Sequence, residues 1–170
     1  MSVTRSMVGK CDWMLFFDID EFLMFNQKNM NVKKFLKDEK FDGYDMIHVN
    51  WRLYNDNGLI EDDGRGVVER FTQTSPMELR KTYEFPEVRH VKTMIRGGFN
   101  PKDVRFDSNP HTPHVPNTMK CCTTDAMDCD ANSPFNHKVY YTFAWLAHYN
   151  TKTLEEWLTY KVPRRLSRRK

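Results

Sequence analysis

The sequence predicts an α/β fold, a mixed sheet with flanking helices, from three observations. Short runs of β-forming residues recur through the chain, stretches with helical spacing stand between and after them, and one continuously apolar run ends abruptly in acid.

That run is Trp13-Met14-Leu15-Phe16-Phe17, closed by Asp18. It has the pattern of a buried central strand whose carboxyl end opens into a crevice, where ligands of open α/β sheets bind. Val32 to Lys40 places Val32, Phe35 and Leu36 among lysines and acids, which predicts a short amphipathic helix. Asp42-Gly43 predicts a turn. Asp45 to Tyr54 is rich in β formers and predicts a strand, as do Val67 to Thr72 and Val88 to Ile95. Between the first two of these, residues 55–64 form a polar loop with two glycines.

From Gly97 to Pro134 the chain carries five of its eight prolines, so a long irregular connection is expected, with one short strand around His111 and His114. Tyr140 to His148 predicts a strand. Thr153-Leu154-Glu155-Glu156 is a capping box, which predicts a helix through about Val162, stopped by Pro163.

A chain of 170 residues with 39% hydrophobic and 14% aromatic content suits one ordered domain. The 26 basic and 23 acidic side chains are interspersed, apart from a basic tail over 163–170, so the charge does not point to nucleic acid. No apolar run approaches the ~20 residues that span a bilayer. Cys11, Cys121, Cys122 and Cys129 form no C-x-x-C pair. Scattered loop thiols or one disulfide are expected rather than a zinc knuckle.

The chemistry concentrates at Phe17-Asp18-Ile19-Asp20-Glu21-Phe22. Two aspartates one residue apart at a strand end project to the same side, so their oxygens can share one hard cation such as Mn²⁺ or Mg²⁺. His148 follows a second apolar run; it is either a structural histidine of a strand-to-helix turn or a neutral imidazole completing that divalent site. Lys152 stands near the start of the capped helix, where its charge and the free amides attract phosphate unless it is simply solvated. Glu61, Asp62 and Asp63 are candidates for a base toward an acceptor hydroxyl, or solvated turn acids. Trp51 is a sugar platform or a buried strand residue.

Four blocks in order resemble the family 2-like and family 92 glycosyltransferases. They are Asp12 to Leu23 around the D-x-D-E-F run, Val49 to Gly58 beginning around Trp51, Val91-Lys92-Thr93, and His148 to Trp157 with Lys161. The resemblance implies the GT-A fold and transfer of a sugar from a nucleotide-sugar donor to an acceptor hydroxyl. It implies metal ligands at Asp18, Asp20 and His148, and substrate contacts at Glu21, Trp51 and Lys152. Tyr54-Asn55 replace the Phe-Gly of the second block, so the acceptor loop departs from the family pattern.

Only 17 residues precede Asp18, so residues 1–170 are expected to be the metal- and acceptor-side half of such a domain, without its nucleotide-binding part. Cytoplasmic and Golgi-associated locations both remain open for the parent protein. Two alternatives stand beside this reading. A haloacid-dehalogenase-like phosphatase also places D-x-D after an apolar strand, although it continues with Thr or Val where Phe22 stands. A catalytically inactive remnant or interaction module would keep the blocks without donor binding.

Overall fold

The computed structural model describes residues 9–74, 86–106 and 109–167. Seven strands lie among them: β1 (Trp13–Leu15), β2 (Glu21–Phe25), β3 (Met46–Leu53), β4 (Val91–Arg96), β5 (Cys121–Thr123), β6 (Asp128–Cys129) and β7 (Ala144–His148). The helices are α1 (Val32–Leu36), α2 (Val67–Arg70), α3 (Leu154–Glu156) and α4 (Val162–Ser167), with a π-turn over Trp157–Lys161 joining the last two. This is a mixed α/β fold.

The eight-residue β3 is the spine of the sheet. One edge pairs antiparallel with β4. The other edge is shared: its first half pairs parallel with β5, and Trp51–Leu53 pair parallel with β7. Next, β2 pairs antiparallel with β7, with Glu21 opposite His148. Alternation along the strands sends adjacent residues into different cores. Ile47, Met94 and Cys122 pack with Phe35, Phe41 and Leu146, whereas Met46, Ile95 and Cys121 pack with Met14, Val104 and Val115. Both faces of the sheet are therefore covered, and the runs of buried residues in β3, β4 and β7 follow from that.

Several sequence expectations are corrected. Among the described residues β1 pairs with β4 alone, so it is an edge strand and not a central one. Its end is set by Gly97, where a Cβ would lie 1.8 Å from the Cys11 carbonyl oxygen. Val67–Arg70 is helical and not a strand, because Arg70 turns inward to meet carboxylates. The final helix does not stop at Pro163: Val162 N–H reaches back to Trp157 O through the π-turn, and the helix continues across Pro163 to Ser167, the wider turn being the irregularity that accompanies a proline inside a helix. The connection over 97–134 contains β5 and β6 as well as an isolated bridge between Arg105 and His114. Residues 168–170 of the basic tail lie outside the described residues, and 162–167 are helical.

Candidate functional site

Asp18 and Asp20 do not lie on a strand. They occupy the tight turn between β1 and β2, where Glu21 N–H donates to Asp18 O at 3.0 Å. Glu21 holds that turn from inside, because its Oε2 accepts from Asp18 N–H at 2.8 Å. Period-two alternation is therefore not what orients the pair; the turn aims the two carboxylates at different neighbours.

Asp18 faces Lys92, whose Nζ lies 2.8 Å from its Oδ2 and 3.7 Å from Glu21 Oε1. Lys92 also donates to Pro110 O at 2.9 Å. Asp20 faces His148 and Lys161, with Oδ1 4.0 Å from His148 Nε2 and Oδ2 3.9 Å from Lys161 Nζ. Register explains the approach: Glu21 is opposite His148, and Tyr149 N–H donates to Asp20 O at 3.0 Å. The expected convergence of His148 on the acidic turn over more than a hundred residues of chain is thus realised through β2 and β7.

Burial governs the electrostatics. It raises the Glu21 carboxyl to about 7, although the Asp18 amide and Lys92 pull the other way. Burial lowers His148, more strongly than the Asp20 charge raises it, so the imidazole is neutral near pH 7. Lys161 is also lowered, first by burial and then by Arg164, Arg165 and Lys152, with Asp20 opposing. His148 Nδ1 and Glu21 Oε1 are buried without a hydrogen-bond partner.

A cavity of about 780 Å³ opens over this turn and is lined by both acidic and basic side chains. Asp18, Asp20, Asp56 and the neutral His148 line it together with a basic wall of Lys152, Lys161, Arg164 and Arg165, and Lys161 approaches Asp20 to 3.9 Å. The exposed Ile19 side chain and Trp157 also line it. The basic wall is built locally by Thr153, which caps α3 in a complete capping box with Glu156. Just before it, Lys152 takes a left-handed backbone with φ 57°.

Other residues singled out from the sequence lie elsewhere. Glu61 and Asp62 are exposed and do not line the cavity; Asp62 pairs with the buried Arg70 at 2.8 Å. Trp51 is half-buried, with ring contacts to His148, His90 and His111 at 4.1, 4.9 and 5.1 Å. His111 Nδ1 lies 3.2 Å from Val91 O, and His114 is exposed.

Sequence reasoning missed four residues. Lys92 was legible as a lysine inside an otherwise apolar strand, a position that needs a buried partner. Arg164 and Arg165 read as tail only because the helix was ended at Pro163. Asp56 is the carboxylate of the polar loop that reaches the cavity.

The sequence model of glycosyltransferase family 92 matches residues 6–167. The chain belongs to this family. No curated protein matches the chain. Membership in glycosyltransferase family 92 makes glycosyl transfer the general activity, with a sugar donor and an acceptor as its substrates. The blocks noted in the sequence have physical roles in the fold. The D-x-D-E run makes a turn braced by Glu21, the V-K block supplies the buried cation beneath it, and the H-Y block brings His148 up against Asp20. No helix among the described residues is long and apolar enough to cross a membrane.

Proposed function

We propose that this family 92 chain transfers a sugar from a nucleotide-sugar donor, with a divalent cation held at the acidic turn and the donor diphosphate against the basic wall. The observation that carries the reading is the cavity itself, which gathers Asp18, Asp20 and His148 with Lys152, Lys161, Arg164 and Arg165 around one opening. A metal-bound diphosphate presents charge of both signs, and it fits a cleft lined by acids and bases together.

The donor set at the turn suits Mn²⁺ or Mg²⁺. Asp20 Oδ1 and His148 Nε2 stand 4.0 Å apart, too long for a hydrogen bond and wider than neighbouring ligands with bonds near 2 Å. The ligand atoms of Asp18, Asp20 and His148 do not all gather within 4.8 Å, so a cation would have to draw the aspartates inward. The neutral imidazole keeps a lone pair for such a role. Asp18 is turned toward Lys92 through Oδ2, and its side chain, 60% exposed, presents its other oxygen to the cavity. A bound cation would offset the charge that develops on the leaving nucleoside diphosphate.

The remaining steps rest on the chain's own groups. Lys152 and Lys161 hold the diphosphate oxygens and keep the charge of the departing group stabilised as the glycosidic bond breaks. Arg164 and Arg165 offer bidentate donors on the same wall. Proton removal from the acceptor falls to Asp56, the acceptor-loop carboxylate that lines the cavity, rather than to Glu61 or Asp62. Trp51, flanked by three histidine rings, acts by supporting His148 and not as an open sugar platform.

Calorimetric titration of Mn²⁺, followed by UDP- and GDP-sugar donors, tests this directly. Asp18→Ala and Asp20→Ala should each weaken Mn²⁺ binding, and donor hydrolysis should require the metal. Unchanged Mn²⁺ affinity in both variants would defeat the metal assignment. Intact binding with no hydrolysis or transfer across the donor panel would favour an inactive interaction module.

A further inference from the structure

On the other side of the sheet, β5 and β6 form a hairpin whose turn is set by Ala126 in a left-handed conformation, φ 59°. Thr123 N–H donates to Met127 O at 2.8 Å. Two positions further from the turn, Cys121 faces Cys129 in register. Alternation along an antiparallel pair makes this a hydrogen-bonded position, with Cα atoms about 5.5 Å apart, a separation that disulfides accept without backbone movement.

The side chains already meet. Cys129 Sγ lies 3.0 Å from Cys121 Sγ and 3.6 Å from Nδ1 of His48, a fully buried residue of β3. Both residues line a surface cleft of about 510 Å³ together with Tyr44, Lys120 and Asp128, Cys121 buried and Cys129 half-buried. Cys122 is set apart by alternation: it packs into the opposite core, with its Sγ 3.7 Å from Met46 O.

We propose that Cys121 and Cys129 are a redox-active pair that closes to a disulfide across the β5–β6 hairpin by exchange with a disulfide-bearing oxidant, Cys129 reacting first. Cys129 loses its proton to solvent and attacks one sulfur of the oxidant, whose S–S bond breaks and whose other sulfur leaves as a thiolate that takes up a proton. Cys121 then loses its proton and attacks Cys129 Sγ in the mixed disulfide, expelling the second thiol. Two cysteine thiols become one disulfide, and the oxidant gains two electrons and two protons.

The order follows from the surroundings. Cys129 is only half-buried, and a hydrogen bond from the Cys121 thiol, aided by His48, lowers its thiol. Burial drives the Cys121 thiol upward. The more exposed, more acidic sulfur is the one that meets an external disulfide, and its neighbour is placed to resolve the adduct.

The test equilibrates the full chain in glutathione buffers of increasing oxidised fraction, then counts thiols and maps disulfides by mass spectrometry. Two of the four thiols should disappear, in a peptide joining Cys121 to Cys129, with recovery on reduction. Closing this short loop should raise the thermal midpoint by roughly 5 °C. Cys121→Ser should accumulate a stable glutathione adduct on Cys129, whereas Cys129→Ser should acquire one on Cys121 far more slowly. Four titratable thiols throughout, or a disulfide mapped to Cys11 or Cys122, would overturn the proposal. So would protection of both thiols by stoichiometric zinc that His48→Gln abolishes, since that outcome makes the trio a metal site.

Discussion

Arg70 and Lys92 are both buried cations held by carboxylates, and they are held very differently. Arg70 sits in α2 with its side chain 3% exposed. It donates from two nitrogens to the two oxygens of Glu156 at 3.0 and 3.2 Å, and its third nitrogen is 4.0 Å from Asp63. Glu156 is itself the last residue of the capping box, so one fork of bonds fastens α2 to the start of α3. Burial alone would raise the Glu156 carboxyl, but the bonds from Arg70 and Thr153 reverse this and leave it lowered.

Lys92 is as deeply buried, 2% exposed, and like Arg70, whose nearest carboxylate Asp62 is 44% exposed at 2.8 Å, it meets an exposed acid first, Asp18, 60% exposed. The two differ in the buried carboxylate behind. For Lys92 this second carboxylate, Glu21, stays 3.7 Å away with Oε1 lacking a hydrogen-bond partner, and burial raises that carboxyl to about 7. The first cluster is closed at its buried carboxylate, Glu156, although three acids surround its one cation. The second is open on one side and holds an acid poised to change protonation. Structure uses the former; chemistry needs the latter.

Deleting each cation is the strongest way to break this comparison. Arg70→Met leaves the Glu156 carboxylate buried without its fork and should cost about 3–5 kcal/mol by urea unfolding. Lys92→Met should cost less, roughly 1–3 kcal/mol, because Asp18 is already solvated and Glu21 can take up a proton. Equal losses in the two variants would show that the Lys92 site is as closed as the other.

The acid side gives the next largest effect. Glu21 has a folded pKa of about 7 against 4.5 in its ordinary state, so between these values the unfolded chain binds fewer protons than the native one. Its contribution to stability is therefore complete below pH about 4.5 and is lost as pH rises toward 7. The change should be on the order of 2 kcal/mol, after discounting about 1.4 kcal/mol per pKa unit for solvent reaching the neighbouring Asp18. Glu21→Gln should flatten this slope, whereas Glu156→Gln should not. Thermal melts across the pH range read both.

Metal binding separates the two sites further. Asp20→Asn and His148→Ala should each reduce Mn²⁺ affinity by roughly tenfold or more, since each removes one ligand of a small set. Asp62→Asn and Glu61→Ala, beside the closed cluster, should leave the same calorimetric titration unchanged. A loss at Asp62 equal to that at Asp20 would move the metal to the Arg70 side.

What the sequence disclosed follows the same division. The closed side announced itself locally: Thr153 and Glu156 sit at capping-box spacing, a pattern that needs no tertiary information. The strands β3, β4 and β7 were legible because they are rich in β-forming residues, even though His48, Asn50, Lys92 and Thr93 stand among them. Val67–Arg70 misled, since two adjacent valines favour a strand and only the distant Glu156 makes a helical turn worthwhile there. The strand β2 was hidden because Glu21 to Phe25 follows the acidic pair without alternation and is identified only by pairing with β7. At the open side Asp18, Asp20 and His148 were found by residue type and order. The role of Lys92 was not, because its partners lie 74 and 71 positions away in the chain. The helix across Pro163, which brings Arg164 and Arg165 to the cavity, depends on a π-turn that no local rule identifies.

The smallest predicted effect compares two residues with nearly the same backbone. Asn57, beside the closed cluster, has φ 54°, and Lys152, at the open one, has φ 57°. Asn tolerates the left-handed region well, and Asn57 uses its side chain there: its amide donates to Arg70 O at 2.8 Å and its Oδ1 accepts from Gln73 N–H at 3.0 Å. Lysine has no such compensation, and a non-glycine residue in this region costs on the order of 1 kcal/mol. A strained lysine kept in the cavity wall is what a functional constraint looks like, because the conformation aims the ammonium where a solvated lysine would have no reason to be held. Lys152→Asn should therefore raise stability by roughly 0.5 kcal/mol while weakening nucleoside diphosphate binding in the presence of Mn²⁺. Lys152→Gln keeps the strain and loses the charge, so it should weaken binding equally with no gain in stability. Thermal melts and calorimetry on the two variants separate the contributions. If Lys152→Asn leaves diphosphate affinity intact, Lys152 is a solvated residue and the basic wall consists of Lys161, Arg164 and Arg165 alone.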